Sequence, residues 1–205
     1  MAYWLVDSPG SGDGSRDSDF WLKHLREQGI NDVTLCKLDD AEQWIRLVSG
    51  DDCLMAAGGD GTVNGVASLC LRTGATLAVL PSGTANDFAR NLGLPEDPSE
   101  VVRLVAEGGS QRIDVAEFSD RIYLNVAHIG LGTLPSRKAS SPTKQALGKF
   151  SYLATLFQQV GAKRGFRARI QTDRSSLEGR WLSIAVATGA YFGGGQEIPE
   201  ASADD

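Results

Sequence analysis

Gly58-Gly59-Asp60-Gly61-Thr62-Val63-Asn64 sets one carboxylate between glycines, directly after an apolar run at 52–57 and directly before a helix-like stretch at 62–72. Glycine accepts backbone angles closed to other residues and has no side chain, so such a turn lets a ligand approach the main chain closely. The start of a helix adds unpaired N–H groups and a partial positive charge, which together make a phosphate seat. Asp60 would repel a bare phosphate, so its presence points to a cation between the two, Mg²⁺ in first place. Thr62 is placed either to cap the helix or to donate to a phosphate oxygen. A purely structural reading stands beside this one: a tight turn whose aspartate bonds its own backbone. The segment LPSGTANDFARNLG at 80–93 follows the next apolar run and again sets Gly, Thr, Asn and Asp before a helix. Two such turns at neighbouring strand ends would face one another across a crevice, which favours the ligand-binding reading. Neither has the Gly-Lys-Ser/Thr ending of a Walker loop nor the GxGxxG spacing of a dinucleotide fold. SPGSGDGS at 8–15 is a third, weaker glycine-rich turn.

The elements that must position these turns are legible as a pattern. Apolar runs at 3–6, 33–38, 52–57 and 76–81 alternate with helix-like segments near 16–28, 40–49, 62–72 and 84–92. Apolar strands without polar alternation, separated by helices, predict a parallel sheet covered on both faces. The functional loops of such a sheet lie at the carboxyl ends of its strands. Pro98 and Ser99 open a further helix that Gly108 and Gly109 close. Beyond it, 112–118 and 121–129 are separated by two residues and read as a hairpin. A loop with Pro135 and Pro142 leads to an amphipathic segment at 145–160, then to strands at 166–172 and 180–189 around a turn at 173–176. The fold class expected is α/β: a parallel-sheet domain, then antiparallel strands that form a sheet or a sandwich, with the boundary near Phe118–Arg121.

Composition narrows the class. The 205 residues are 41% hydrophobic and 22% charged, as in a folded globular chain. No apolar run approaches the roughly 18 residues of a membrane span, and the N-terminus lacks the basic and apolar regions of a secretory signal. Cys36, Cys53 and Cys70 show no CxxC spacing and sit in apolar segments, which favours buried reduced thiols in a cytosolic protein. Only His24 and His128 offer imidazole, which disfavours a zinc site. The net charge of −6 is uneven: residues 1–120 hold 20 acidic and 9 basic side chains, and residues 121–205 hold 6 and 11. Nine basic and no acidic residues lie between Arg121 and Thr172. That stretch suits an anionic membrane or a solvated basic face. Nucleic acid ranks last, because the stretch has no aromatic platform for stacking bases and the whole chain is acidic. Nothing in the sequence signals an oligomeric state.

GGDGTVN (58–64), PSGTANDFARNLGLP (81–95) and SPGSG (8–12) together resemble the diacylglycerol kinase catalytic domain family, most closely the bacterial YegS-type lipid kinases. The resemblance continues through IDVAEF with Asp114, YLNVAHIGLGT (123–133), ALGKFSYL (146–153) and YFGGGQEIPEASADD (191–205). GGDGT alone is shared with NAD kinases, whereas its pairing with GTANDFAR is specific. The resemblance implies an N-terminal parallel-sheet nucleotide-binding domain over 1–119 and an incomplete antiparallel β-sandwich over 120–205, with ATP held between them and its γ-phosphoryl group transferred to a lipid hydroxyl, of diacylglycerol or a related lipid, by a cytoplasmic protein that visits the inner face of the membrane. It implies that Gly58, Gly59, Asp60, Gly61, Thr62, Val63, Asn64 and Thr84 hold the nucleotide. It also implies that Asp60, Asp87 and Asp114 surround a catalytic Mg²⁺, and that Asp205 and the Ser202 carbonyl hold a structural one. Asp87 reads alternatively as a helix-start charge and Asp114 as a turn carboxylate. Departures from the family pattern are Ser8 for Asn, Gly65 for Glu and Thr188 for Asn, with Leu35 or Cys36 near the place of an ATP-contacting Thr. The family's general base is expected beyond Asp205, so no catalytic residue is assigned within the chain. The alternative is a catalytically inactive nucleotide- or lipid-binding module. The amphipathic segment at 145–160, with Lys144, Lys149, Lys163 and Arg164 at its flanks, fits a helix covering one end of the sandwich or a membrane-contacting helix.

Overall fold

Trp4, Leu5 and Val6 are consecutive and all buried, which a strand permits only when both of its faces are covered. In the computed structural model, which describes residues 1–8, 14–119, 121–130, 165–192 and 195–197, they form the middle of β1 (Tyr3–Asp7). After it come α1 (Ser18–Glu27), β2 (Val33–Lys37), α2 (Ala41–Trp44), β3 (Cys53–Gly58), α3 (Asp60–Thr73), β4 (Thr76–Pro81), α4 (Asp87–Asn91) and α5 (Pro98–Glu107). The four strands pair in parallel in the order β2-β1-β3-β4. Because side chains alternate along a strand, Trp4, Val6, Leu54 and Ala56 meet Trp44 of α2 and Val63 and Val66 of α3 on one face. Leu5, Met55 and Ala57 meet Trp21 and Leu25 of α1 and Val101 and Val102 of α5 on the other. The chain leaves β1 to one side for β2 and returns to the other side for β3. The strand order therefore reverses between β1 and β3, and open α/β sheets bind ligands at the carboxyl ends of such a pair.

Local chemistry explains most boundaries. Asp17 caps α1 by accepting the Phe20 N–H at 2.9 Å, and Asp97 caps α5 by accepting the Ser99 N–H at 2.7 Å, with Pro98 at the first helical position. Gly74 and Gly108 end α3 and α5 in the left-handed region. The expected helix over 40–49 is only the four-residue α2 between two short 3-10 turns, Leu38–Asp40 and Ile45–Leu47. No side chain caps it. Its course follows Trp44, which stacks on Trp4 at 6.0 Å and donates its indole N–H to the Lys37 carbonyl at 3.0 Å. At the start of β3, Asp52 accepts the main-chain N–H groups of Ala2 and Ser49 and the indole N–H of Trp4, at 2.7, 3.0 and 3.3 Å. The Ser49 and Ala2 hydrogen bonds hold its carboxyl below the usual carboxylate range.

The later strands are β5 (Ala116–Phe118), β6 (Arg121–Tyr123), β7 (Val126–Gly130), β8 (Phe166–Gln171), β9 (Ser176–Trp181), β10 (Ser183–Ala187), β11 (Tyr191–Phe192) and β12 (Gln196–Glu197). They pair antiparallel as β5 with β6, β7 with β10, β8 with β9 and β11 with β12. The expected strand over 121–129 is thus two, broken at Leu124–Asn125, and the one over 180–189 is divided between β9 and β10. A parallel sheet followed by antiparallel strands is the order expected. By compactness, Met1–Asn125 and the described residues from Thr188 onward form one unit, and Val126–Ala187 another. In the second, Ile129, Leu177, Leu182 and Val186 are exposed apolar side chains. The segment at 145–160 lies outside the described residues, as do Pro135 and Pro142.

Candidate functional site

The turn after β3 is built by contacts that exclude side chains. A Cβ on Gly58 would lie 2.4 Å from the Thr62 hydroxyl oxygen, and one on Gly83 would lie 2.4 Å from the Gly59 Cα. The two glycine-rich turns therefore press backbone against backbone. Gly59 starts α3 without any side-chain cap. The Val63 N–H closes on the Gly59 carbonyl at 3.0 Å, while the N–H groups of Asp60, Gly61 and Thr62 have no main-chain acceptor among the described residues. Gly61 is exposed, and a Cβ there would meet nothing within 4 Å. Thr62 is buried against Gly58 and does not cap the helix, which corrects the capping expectation. Val63 enters the core, and the Asn64 amide donates to the Ile122 carbonyl at 3.1 Å, tying α3 to β6. What this motif turns outward is its backbone at 60–62.

The turn after β4 is closed on itself. Asn86 adopts φ 52. Its side chain accepts the Gly83 N–H at 2.9 Å and donates to the Gly83 carbonyl at 2.7 Å, so α4 starts only at Asp87, later than the expected 84. The first N–H groups of α4 are taken by Asp60, whose carboxylate accepts from Asp87 at 3.2 Å and Phe88 at 2.9 Å. Asn125 donates to the same carboxylate at 3.2 Å. Asp87, buried, accepts the Gly195 N–H at 2.7 Å and pairs with Arg90 at 3.2 Å. Asn91 extends the chain of contacts: its amide reaches the Asn125 side chain at 3.0 Å and bonds the main chain of Tyr191 in both directions. Thr188 closes it by donating its N–H to the Asn125 carbonyl at 2.8 Å. Thr84 is exposed, and its hydroxyl has no hydrogen bond among the described residues.

Asp60 and Asp87 are therefore brought together, each engaged by N–H or guanidinium donors. Asp114 is exposed and has no hydrogen bond or ion pair among the described residues. No group of three His, Cys, Asp or Glu side chains among the described residues is arranged to hold a metal. Ser202 and Asp205 lie outside the described residues, and so does the turn at 9–13. Gly65, where the resemblance expects a glutamate, is packed: a Cβ would lie 2.7 Å from Leu38 Cδ2, so Leu38 occupies the space a side chain would need. Asn91 and Asn125 were not singled out from sequence. The signal available was a lone asparagine inside the apolar run 121–129. The three cysteines are buried and free, and burial pushes Cys53 up to about 11 and Cys70 to about 12, which leaves them unreactive.

Residues 3–118 match the family described as the diacylglycerol kinase catalytic domain. The chain is 35% identical over 88% of its length to a Klebsiella pneumoniae protein described as "Probable lipid kinase YegS-like". It is 33% identical over its whole length to a Xanthomonas euvesicatoria protein with the same description, of which it covers 71%. It spans 64% of the Klebsiella relative, somewhat less than two thirds. A crystal structure titled as a diacylglycerol kinase from Bacillus anthracis superposes on the whole chain with a TM-score of 0.72 at 25% identity, the chain covering 70% of it. The chain belongs to the diacylglycerol kinase catalytic domain family.

Proposed function

We propose that this chain binds ATP at the start of α3 and serves transfer of its γ-phosphoryl group to the hydroxyl of diacylglycerol or a related lipid. The observation that carries the reading is the open cradle at 60–62. There, three N–H groups without main-chain acceptors among the described residues begin a 14-residue helix, and a Cβ on Gly61 would meet nothing within 4 Å. A bound phosphate gains hydrogen bonds from those groups and the helix-start charge, the latter worth about 0.3–1 kcal/mol in an exposed setting. Thr84 adds a hydroxyl without a hydrogen bond among the described residues. Gly58, Gly59, Val63 and Asn64 act by shaping the turn. Phosphoryl transfer relies on positioning and charge neutralisation. In this reading Asp60 positions: it orients α4 and Asn125 around the nucleotide end of β3 and β4. Magnesium at Asp60, Asp87, Asp114, Ser202 and Asp205 remains part of the proposal as the ion that accompanies nucleotide phosphates, and no step is derived through it. The proposed division is a nucleotide-binding domain over 1–119 and a lipid-facing one over 120–205. Among the described residues no helix is long and apolar enough to cross a membrane, and the proposed location is cytoplasmic, at the inner membrane face.

The test is transfer of label from γ-labelled ATP to a panel of micellar lipids, with nucleotide binding measured in parallel. A labelled lipid names the acceptor. Binding without transfer supports the inactive-module alternative, and absence of both from a folded chain rules out the reading.

A further inference from the structure

Trp21 of α1 is fully buried, in an apolar layer with Leu5, Met55, Leu80 and Val102. Phe20 packs against its ring at 88°, with centroids 5.2 Å apart, and helps fix its orientation. A buried indole N–H needs an acceptor, and none of those apolar side chains offers one. The acceptor is the Ser82 hydroxyl at 2.7 Å, 61 positions away in sequence. Ser82 is the first residue beyond β4. It donates its hydroxyl to the Leu80 carbonyl at 3.2 Å and its N–H to the Gly58 carbonyl at 3.0 Å. One serine therefore joins α1, β4 and the end of β3. The next residue is Gly83, whose backbone presses on Gly59 with no room for a Cβ. Two main chains in such contact have no side chain to absorb a shift, so a displacement of Ser82 passes to Gly59 and the start of α3.

We propose that Trp21 is a positioning residue for the nucleotide. Through Ser82, its N–H sets where Gly83 lies against Gly59, and so how the N–H groups of 60–62 face the phosphates. Turns made of Gly58, Gly59, Gly61 and Gly83 carry the conformational freedom of glycine, which a fixed anchor outside them offsets. The role rests on the nucleotide reading above, and Trp21 itself touches no ligand in it.

The experiment is calorimetric titration of the full chain with ATP, alongside urea unfolding, for the wild type, Ser82→Ala, Ser82→Thr, Trp21→Phe, the Ser82→Ala/Trp21→Phe double variant and Leu25→Ala. Leu25 is equally buried in the same layer, and its side chain makes no hydrogen bond to the turn. Leu25→Ala therefore reports what loss of packing alone does: a lower unfolding midpoint with the ATP affinity of the folded chain unchanged. Ser82→Ala and Trp21→Phe should each weaken ATP affinity about three- to tenfold. The double variant should weaken it no further than the more damaging single, because both remove one hydrogen bond. Ser82→Thr keeps the hydroxyl and should bind as the wild type does. Trp21→Phe also opens space in the core; where it fails to fold, Ser82→Ala and Ser82→Thr carry the test. If the wild type binds ATP and Ser82→Ala binds it equally well, or if Leu25→Ala weakens it as much, the positioning role is overturned and the nucleotide reading stands. A wild type that binds no ATP removes both.

Discussion

The turns that end β3 and β4 share glycine, threonine, asparagine and aspartate, and they do opposite things with their helix starts. After β3 a 14-residue helix begins at once, and its first N–H groups have no main-chain acceptor among the described residues. After β4 the chain first seals a small loop through Asn86, and the five-residue helix that follows has its first N–H groups filled. The filling group is Asp60, which belongs to the first turn. One carboxylate thus closes the neighbouring helix while turning away from its own. A glycine-rich turn is a ligand seat only when nothing in the chain has taken its donors, and the residue types alone do not reveal that.

The contact that makes the two turns a single body is Gly59 on Gly83, and breaking it has the largest expected effect. Gly83→Ala drives a Cβ to 2.4 Å from the Gly59 Cα and 3.2 Å from its nitrogen, both backbone atoms that cannot rotate away. A loss of about 3 kcal/mol is expected, read as a fall in the urea midpoint of unfolding. A loss below about 1 kcal/mol would mean that the turns do not press together. Asp60→Ala comes next. It strips the cap from α4 and the anchor from Asn125, three N–H donors to one charge. About 2–3 kcal/mol is expected, in buffer free of nucleotide and divalent ions. An unchanged midpoint there would assign the carboxylate a role in ligand binding alone.

How much of this was readable from sequence follows from the range of each interaction. The four parallel strands were legible because both faces of the sheet are covered, which writes uninterrupted apolar runs into 3–6 and 52–57. The glycine turns were legible as turns. The bonds that distinguish them were not: Asp60 to Phe88 spans 28 positions, Asn125 to Asp60 spans 65, and Asn91 to Tyr191 spans 100. No local pattern encodes such pairs. The same holds for Gly65, whose missing side chain makes sense only once Leu38 is seen filling its place. The cap expected of Thr62 is absent for a related reason: a threonine near a helix start caps by propensity, but here the strand end passes so close that its side chain is buried against Gly58.

Asp52 provides a control for Asp60, an aspartate at the opposite end of β3 that also collects N–H donors. Its folded-state pKa is lowered, chiefly by the Ser49 and Ala2 hydrogen bonds. The sign follows: its contribution is present above the unfolded value, near 3.9, and is lost as pH falls through the lower folded value. Asp52→Asn should cost about 1–2 kcal/mol at pH 7, and the gap to the wild type should close as unfolding is repeated toward pH 3. A gap independent of pH would mean that shape, not charge, holds this end of the strand.

Gly61→Ala has the smallest effect on stability and draws the sharpest line between the open turn and the closed one. Gly61 lies in the first turn of α3 and is not among the positive-φ glycines, so alanine takes its backbone without strain. The new methyl meets nothing within 4 Å. Replacing glycine by alanine at such a position stabilises by about 0.4–1 kcal/mol, because the unfolded chain loses freedom. The free chain should therefore unfold at a slightly higher urea concentration than the wild type. Binding should move the other way, because an added methyl crowds a phosphate that rests on the N–H groups of 60–62. ATP affinity should fall about tenfold or more, since hydrogen bonds to a charged group are worth roughly 1.5–3 kcal/mol. Opposite signs in one variant separate ligand seat from scaffold, which Gly83→Ala cannot do because it damages both. If Gly61→Ala binds ATP as the wild type does, no phosphate rests on the start of α3, and its unfilled donors are merely solvated.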